Sequence, residues 1–251
     1  MSQIFKFERY LEKMEKKGQL SLYIIIAIVI VAVSIILMMV SSRQDKGDVE
    51  AEITKIKRYI NDCVKKSSEI MLQIGRTSGY YRPPTLSTEE GIAYYFYEGE
   101  NLVPSIHIIE SEIAEGFKEK LEKCINNFSQ FKKSTLQINA TKPTVTAVVT
   151  TNNIYVDVTF SVLVVGKRTS FLNYSNEQII GVRLGKIYRL ASDIVDMQLK
   201  EGTYLTDFFA IKDNLNVTYK IENNIIVFEI KDFESKINNE AYSFLFAGKL
   251  S

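Results

Sequence analysis

The chain has 251 residues, 46% of them hydrophobic, and its 31 basic and 30 acidic residues give a formal net charge of +1. This length and composition suffice for a folded core and exclude general disorder. The charge balance gives no indication of nucleic-acid binding, which would require a clustered basic surface. One histidine and two cysteines exclude a site built on two imidazoles, and they are too few for a thiolate zinc centre unless carboxylates complete it.

A continuous apolar run lies near the N-terminus. Leu20–Val40 comprises 21 residues without a charge, with only Ser21 and Ser34 as small polar interruptions. As an α-helix it would be roughly 31 Å long, which matches the hydrocarbon core of a bilayer. The run is too long for the apolar part of a signal peptide. We therefore predict a transmembrane helix with the lipid bilayer as its partner; the alternative is a helix buried in the core of the chain itself.

The residues directly before this run carry a family resemblance. The segment Lys16-Lys17-Gly18-Gln19-Leu20-Ser21 resembles an archaeal class III signal, which a type IV prepilin-like peptidase reads. The resemblance implies cleavage between Gly18 and Gln19, after which the apolar helix stays on the mature protein as its assembly core. The family has Glu at the fifth mature position, where this chain has Tyr23. The remainder is similar to uncharacterised membrane-anchored surface proteins of small-genome archaea, a likeness that implies no activity.

The orientation of the predicted span follows from the charges beside it. Residues 1–18 hold five lysines and arginines, whereas the fifteen residues after Val40 hold three. Positive charge favours the cytoplasmic side, so we expect a cytoplasmic N-terminus and a C-terminal part outside the cell membrane. Four Asn-X-Ser/Thr sequons after the span are candidate N-glycosylation sites. They lie at Asn127, Asn139, Asn173 and Asn216.

A polar linker at residues 41–48 precedes a helical part. Apolar and small residues there follow a heptad stripe over 49–74, which predicts a helix that packs on its own domain or self-associates as a coiled coil. The stripe consists of Val49, Ile53, Ile56, Ile60, Cys63, Ser67, Ile70 and Ile74. Helical spacing returns from Ser105 to about Asn126.

The two cysteines fall on these two predicted helices, each near the apolar face. A bond between Cys63 and Cys124 would close a loop of 61 residues. By chain entropy it would stabilise the fold by about 4 kcal/mol. An oxidising exterior favours the disulfide, and the alternative is a pair of buried thiols.

The segment between the helices is rich in tyrosine, with glycines and the Pro83-Pro84 pair that break any helix. Tyr94–Tyr97 is predicted to form a short strand. Tyrosines suit contact with a partner, although alternate members of the segment could fill the core instead. The candidate contact residues are Tyr80, Tyr81, Tyr94, Tyr95 and Tyr97.

From Leu136 the pattern becomes that of strands. Residues 154–164 alternate between apolar and polar or small side chains with a period of two, which predicts a half-buried strand. Predicted partner strands are Thr144–Thr150, Arg168–Asn173 and Gln178–Leu184. A helix at about Ile187–Lys200, a short helical piece at Tyr204–Ile211 and strands at Val217–Ile221, Ile225–Ile230 and Tyr242–Phe246 complete the chain.

This order of helices and strands predicts an α+β fold with a mainly antiparallel sheet, not a doubly wound parallel one. The predicted organisation is a cytoplasmic segment or leader at 1–19, a transmembrane helix at 20–40 and a linker at 41–48. A helical part with the Tyr-rich loop and the cysteine pair follows at 49–135, and an antiparallel sheet with one or two helices at 136–251.

A search for chemistry finds no phosphate loop, dinucleotide fingerprint, nucleophile elbow or metal-ligand pattern in the sequence. No catalytic residue, metal or cofactor is therefore predicted. We expect a single-pass, extracytoplasmic protein that acts as a structural or binding element of the cell surface. The alternatives are a pilin-like filament subunit processed after Gly18 and, less favoured, a membrane-tethered hydrolase that uses two carboxylates.

Overall fold

A computed structural model describes residues 26–38, 50–131, 136–166, 169–201 and 214–249. The chain divides into two compact units, Met1–Ile56 and Lys57–Ser251. The candidate cleavage site at Gly18 and Gln19, the linker 41–48 and the predicted helical piece Tyr204–Ile211 lie outside the described residues.

Residues 26–38 form an α-helix, α1, in which every side chain is exposed. The large apolar side chains of α1 have exposed fractions between 46% and 78%. Its one polar side chain, Ser34, donates a hydrogen bond to the carbonyl oxygen of Ile30 at 2.7 Å. Within the described parts of the chain, no helix combines the length and apolarity that crossing a membrane takes. The predicted span Leu20–Val40 extends past α1 at both ends.

The other described α-helices are α2 at 50–67, α3 at Ile70–Arg76, α4 at Ile106–Ile125 and α5 at Leu184–Glu201; a 3-10 turn at Asn126–Phe131 follows α4. The predicted heptad helix is therefore interrupted after Ser67. The Ser67 hydroxyl donates to the carbonyl oxygen of Cys63 at 2.8 Å, and the amides of Ser68 and Glu69 bond three residues back. A serine hydroxyl that bonds back to the preceding turn in this way bends a helix.

Nine strands lie among the described residues. They are β1 Tyr94–Tyr97, β2 Glu100–Asn101, β3 Gln137–Ala140, β4 Thr144–Val149, β5 Ile154–Val165, β6 Thr169–Ile180, β7 Leu215–Glu222, β8 Ile225–Ile237 and β9 Glu240–Lys249. They form two sheets. The first has the order β2-β1-β9-β8-β7 and is antiparallel except where β1 runs parallel to β9.

The second sheet is built around β5. Strand β6 pairs with one edge of β5 over its whole length, from Thr169 opposite Val165 to Ile180 opposite Ile154. Strands β3 and β4 pair one after the other with the opposite edge of β5. Strand β3 covers the C-terminal part of β5, and β4 covers its N-terminal part. The second sheet is therefore three strands wide, with β6 and the β3–β4 pair at its edges.

The alternating prediction for residues 154–164 is confirmed. The even-numbered side chains of β5, from Ile154 to Val164, are buried, and the odd-numbered ones face outward. In the first sheet Phe228, Phe244 and Phe246 are buried in the same way. Helix α3 packs on β9 of the first sheet, and α4 packs on β4 of the second. The α+β class with antiparallel sheets is thus confirmed.

Two predicted boundaries in the second half of the chain are wrong. Arg168–Asn173 and Gln178–Leu184 were predicted as separate strands, but β6 is continuous from Thr169 to Ile180 because it pairs with β5 at every residue. The chain then leaves the sheet at Gly181, and α5 begins at Leu184, three residues before the predicted start. Gly185 obscures this start, since glycine disfavours helices. A glycine is needed there because a β-carbon would lie 2.5 Å from the carbonyl oxygen of Thr150.

The contact between α3 and β9 depends on Gly75. A β-carbon at this position would lie 2.2 Å from the carbonyl oxygen of Ser243, well inside van der Waals contact. We expect Gly75→Ala to lower the free energy of unfolding by about 2–3 kcal/mol, because the helix must move away from the strand. Urea unfolding measures this change. Gly181→Ala is the control, since a β-carbon there meets nothing within 4 Å; equal effects of the two variants would contradict the close-packing argument.

Candidate functional site

A disulfide joins α2 to the end of α4. Cys63 and Cys124 are bonded, with their Cα atoms 5.5 Å apart and a separation of 61 positions in sequence, which confirms the predicted pair. Tyr59, one turn before Cys63, donates its hydroxyl to the carbonyl oxygen of Cys124 at 2.6 Å. The Tyr59 ring also makes an edge contact with Phe128, with 6.2 Å between ring centroids. Covalent, polar and aromatic contacts therefore fix the same helix–helix junction.

An open cleft of about 610 Å³ lies beside this junction, between the end of α4 and the β3–β4 connection. Its apolar lining includes Ile125, Phe128, Ile138 and Phe160, and its polar lining includes carboxylates, amides and lysines. Three successive residues with left-handed backbone, Asn126 to Phe128, end α4 and form one wall. They turn the Phe128 side chain into the core, where it is buried. The cleft has the size of a small-molecule or glycan site.

Two of the charged residues that line the cleft, Glu119 and Lys123, are paired with each other. Glu119 accepts hydrogen bonds from Lys123 and from Arg82, each at 2.6 Å. The bonds from Lys123 and Tyr81 hold the pKa of Glu119 below its usual value. A general acid in glycoside hydrolysis needs a raised pKa, so Glu119 has the wrong electrostatic environment for that role. Glu119 is therefore better suited to polar contact than to acid catalysis.

The Tyr-rich segment contributes mainly to the core. Tyr95 is completely buried and stacks on Phe246 with 5.1 Å between ring centroids. Tyr81 and Tyr94 are also buried, and Tyr80 and Tyr97 are half-buried. Tyr97 accepts a hydrogen bond from Lys249 at 3.0 Å. The hypothesis that these tyrosines contact a partner is thus confined to Tyr80 and Tyr97, because the others have almost no surface to offer.

The same burial bears on the heptad stripe. Its members from Ile60 to Ile74 are at most 1% exposed. They are Ile60, Cys63, Ser67, Ile70 and Ile74. Packing within the domain accounts for this part of the stripe, and it leaves no surface there for a coiled-coil partner. The apolar helix is the other predicted self-association surface. Its described part, α1, is exposed throughout.

Three of the four sequon asparagines are exposed. Asn127 and Asn139 line the cleft from opposite walls, and Asn173 lies on the outer face of β6. The Asn173 side-chain oxygen accepts a hydrogen bond from the Ser161 hydroxyl at 3.0 Å. Asn216 on β7 is half-buried. Asn127, Asn139 and Asn173 are thus more accessible to a modification than Asn216.

A buried ion pair at the start of α5 was missed by the sequence reasoning. Asp232, completely buried on β8, accepts hydrogen bonds from Arg183 at 2.5 and 3.0 Å and from the Ser235 hydroxyl at 2.5 Å. Arg183 also pairs with Glu234, and its backbone amide donates to Ser235. Burial on its own raises the pKa of Asp232, but these hydrogen bonds outweigh it and lower the pKa. The pair connects α5 to a bulge in β8 and serves the fold.

His107 and the acidic residues Glu98, Glu110 and Glu112 have ordinary partners. The His107 side chain is 88% exposed and lies 2.9 Å from Glu110, whose other oxygen accepts from the amide of Val149. Glu112 accepts from the amide of Tyr81, and Glu98 pairs with Lys249. Glu89, Glu90 and Glu100 are exposed. Among the described residues no group of three or more His, Cys, Asp and Glu side chains is placed to hold a metal ion.

The chain was also compared with known proteins. No family model, no curated protein and no solved structure matches it.

Proposed function

We propose that the chain is a single-pass membrane protein in which the helix containing α1 anchors an α+β domain outside the cytoplasm. The domain acts by contact, as a structural or binding element of the cell surface. One observation carries the proposal: all side chains of α1 are exposed, and all but Ser34 are apolar. Water is a poor solvent for such a helix, whereas the hydrocarbon core of a bilayer is a good one.

The polar groups of α1 support the same proposal. A hydroxyl in hydrocarbon costs free energy unless it is hydrogen-bonded, and the Ser34 hydroxyl bonds within the helix to Ile30. The apolar sequence continues beyond α1 in both directions, to Leu20 and Val40, without a charge. Its full length therefore matches the thickness of a bilayer core.

The disulfide supports the proposed location of the domain. Disulfides persist in oxidising compartments and are rare in reducing ones. Both cysteines of the chain are in the bond between Cys63 and Cys124. The excess of lysine and arginine before the apolar run favours the same sidedness.

The cleft is the part of the domain best shaped for contact. Its wall of amides and hydroxyls, with Asn126, Asn139 and Thr141, offers hydrogen bonds above the apolar surface of Ile138 and Phe160. Such a combination suits a polar, uncharged ligand such as a glycan or a peptide segment. The paired state of Glu119 favours this binding role over that of a hydrolase.

The anchor is tested by placing a charge in it. We expect Val31→Lys to move a large share of the full-length chain from the membrane pellet to the soluble fraction after carbonate extraction. A lysine at the centre of a span costs about 2.5–3.5 kcal/mol. Val148→Lys is the matched control, because Val148 is 51% exposed on β4 and Val31 is 57% exposed on α1. The proposal is wrong if wild-type chain is itself soluble, or if both substitutions act alike.

A filament subunit is the second candidate, favoured by the same exposed helix and by the class III-like segment before it. The apolar helix would then pack against copies of itself, and processing would remove residues 1–18. N-terminal sequencing of the mature protein separates the candidates: Gln19 indicates processing and Met1 an uncleaved anchor. Electron microscopy of the cell surface then shows whether a processed chain forms filaments.

A further inference from the structure

Strand β6 forms an edge of the second sheet that no described strand covers. Its twelve residues pair with β5 on one side, in unbroken register, and with no described strand on the other. Natural proteins protect long edges with proline, inward-pointing charges, lysines or bulges. Thr169–Ile180 contains no proline and no lysine, and its register with β5 has no bulge.

The direction of the backbone groups on β6 follows from the neighbouring strands. The amide of Thr141 donates to the carbonyl oxygen of Ser161, so the odd-numbered residues of β5 direct their backbone groups toward β3 and β4. Even-numbered residues of β5 therefore bond to β6, where their partners are also even-numbered. The odd-numbered residues of β6 then direct their amides and carbonyls to the open edge. The side-chain amide of Gln178 donates to the carbonyl oxygen of Ile179 at 3.0 Å, which agrees with a carbonyl that does not bond to β5.

Two large apolar side chains lie on the outer face of the same strand. Phe171 is 65% exposed and Ile179 is 52% exposed. They are separated by eight positions, and Ser175 lies midway between them. The one charged residue of the strand, Glu177, also faces outward.

We propose that β6 pairs antiparallel with β6 of a second copy of this chain, about a two-fold axis that passes through Ser175. In this register Phe171 lies opposite the partner's Ile179, and Ile179 lies opposite the partner's Phe171. Asn173 lies opposite the partner's Glu177. About ten backbone hydrogen bonds form along the edge, and the two second sheets become one continuous sheet that is six strands wide.

The register is chosen by complementarity. Only a two-fold axis at Ser175 places Phe171 opposite the partner's Ile179 and Ile179 opposite the partner's Phe171. All four of these apolar side chains are then covered at once. A centre at Glu177 would place two like charges face to face, at a cost in free energy. The Asn173 side-chain oxygen already accepts from Ser161, so its amide group is left as the donor for the partner's Glu177. A second copy therefore matches this edge better than an arbitrary strand does.

Cross-linking through the axis tests the register. Ser175→Cys places the only free thiol of the full-length chain at the point where the strand meets itself, because Cys63 and Cys124 are already bonded. In a hydrogen-bonded antiparallel pair the two Cα atoms are about 5.5 Å apart. Thr159→Cys is the matched control, exposed on the same face of β5 directly beside Ser175. Its two copies would lie about 14 Å apart, three strand spacings away.

We expect a short bis-maleimide to give a cross-linked dimer from Ser175→Cys and at least tenfold less from Thr159→Cys, with protein in mild detergent at micromolar concentration. Ser175→Lys, which brings two like charges together at the axis, should lower the dimer fraction in sedimentation at least tenfold, whereas Thr159→Lys should not. A monomeric wild-type chain overturns the proposal, as do equal cross-linking at both positions and a dimer that survives Ser175→Lys. The cross-link reports strand pairing whether or not the chain is in a membrane, so it is independent of the proposed anchor.

Discussion

Removal of the disulfide should have one of the largest effects on stability of any change in this protein. We expect Cys63→Ala combined with Cys124→Ala to lower the free energy of unfolding by about 4 kcal/mol, because the bond restricts a 61-residue loop of the unfolded chain. For a domain of this size that corresponds to a fall in melting temperature of roughly 8–16 °C. Thermal unfolding followed by circular dichroism, on full-length chain in mild detergent, measures it.

The matched control is reduction by dithiothreitol. It should destabilise the wild-type chain by a similar amount and leave the double alanine variant unchanged. The hydrogen bond from the Tyr59 hydroxyl to the backbone carbonyl oxygen of residue 124 remains in the reduced chain and in the variant, and it holds part of the junction between α2 and α4. A loss below about 1 kcal/mol in the variant would mean that these other contacts, and not the disulfide, fix α2 to α4.

Asp232→Asn should have an effect of similar size. The substitution keeps the shape of the side chain but removes the negative charge that faces the buried guanidinium of Arg183. Breaking one partner of a buried ion pair costs about 3–5 kcal/mol, because the other charge is left without full compensation. Urea unfolding at pH 7 measures the loss. Glu234→Gln is the control, since this carboxylate pairs with the same Arg183 but is 49% exposed, and its loss should cost less than about 1 kcal/mol.

The same carboxylate predicts a dependence on pH. Because the pKa of Asp232 is lowered in the folded state, the unfolded chain binds more protons at this group. Its contribution to stability is therefore complete above the unfolded pKa of about 3.9 and is lost as the pH falls through the folded pKa. Asp232→Asn should show a shallower loss of stability below pH 4 than the wild-type chain. Parallel curves for the two proteins would contradict the assignment.

Local patterns in the sequence predicted much of the fold. The alternation over 154–164 predicted β5 because one face of that strand is buried and the other is not. Tyr94–Tyr97 was predicted with the bounds of β1, since glycine and proline surround four aromatic residues that favour strands. The cysteine pair was predicted because both residues lie near the apolar faces of predicted helices and an oxidising exterior favours the bond over two buried thiols.

Features that depend on distant partners were missed. Polar residues such as Asn173 and Asn176 make the middle of β6 look like a turn, and only pairing with β5 makes it a strand. The parallel contact of β1 with β9 and the ion pair between Arg183 and Asp232 join segments far apart in sequence. The periodicity of a short stretch of sequence cannot predict a contact of this kind.

The candidate site was predictable only in part. The sequons at Asn127 and Asn139 were visible as motifs, but the cleft between them exists because the left-handed turn at the end of α4 faces the β3–β4 connection. The tyrosines, in contrast, were a prominent feature of the sequence, but most of them serve the core and not a binding site. Most of their side chains pack in the core, as Tyr95 does against Phe246 on the neighbouring strand.

The medium around α1 is the central question, and a spin label answers it most directly. Ile30→Cys carries a nitroxide at the centre of the apolar run in full-length chain reconstituted into lipid bilayers, and Thr159→Cys carries one on the exposed face of β5. We expect the label at position 30 to be accessible to oxygen and protected from a water-soluble nickel chelate, and the label at 159 to show the reverse. A label at position 30 that the chelate reaches as well as it reaches 159, or that neither reagent reaches, would show that protein or water surrounds this helix, and would contradict the proposed anchor.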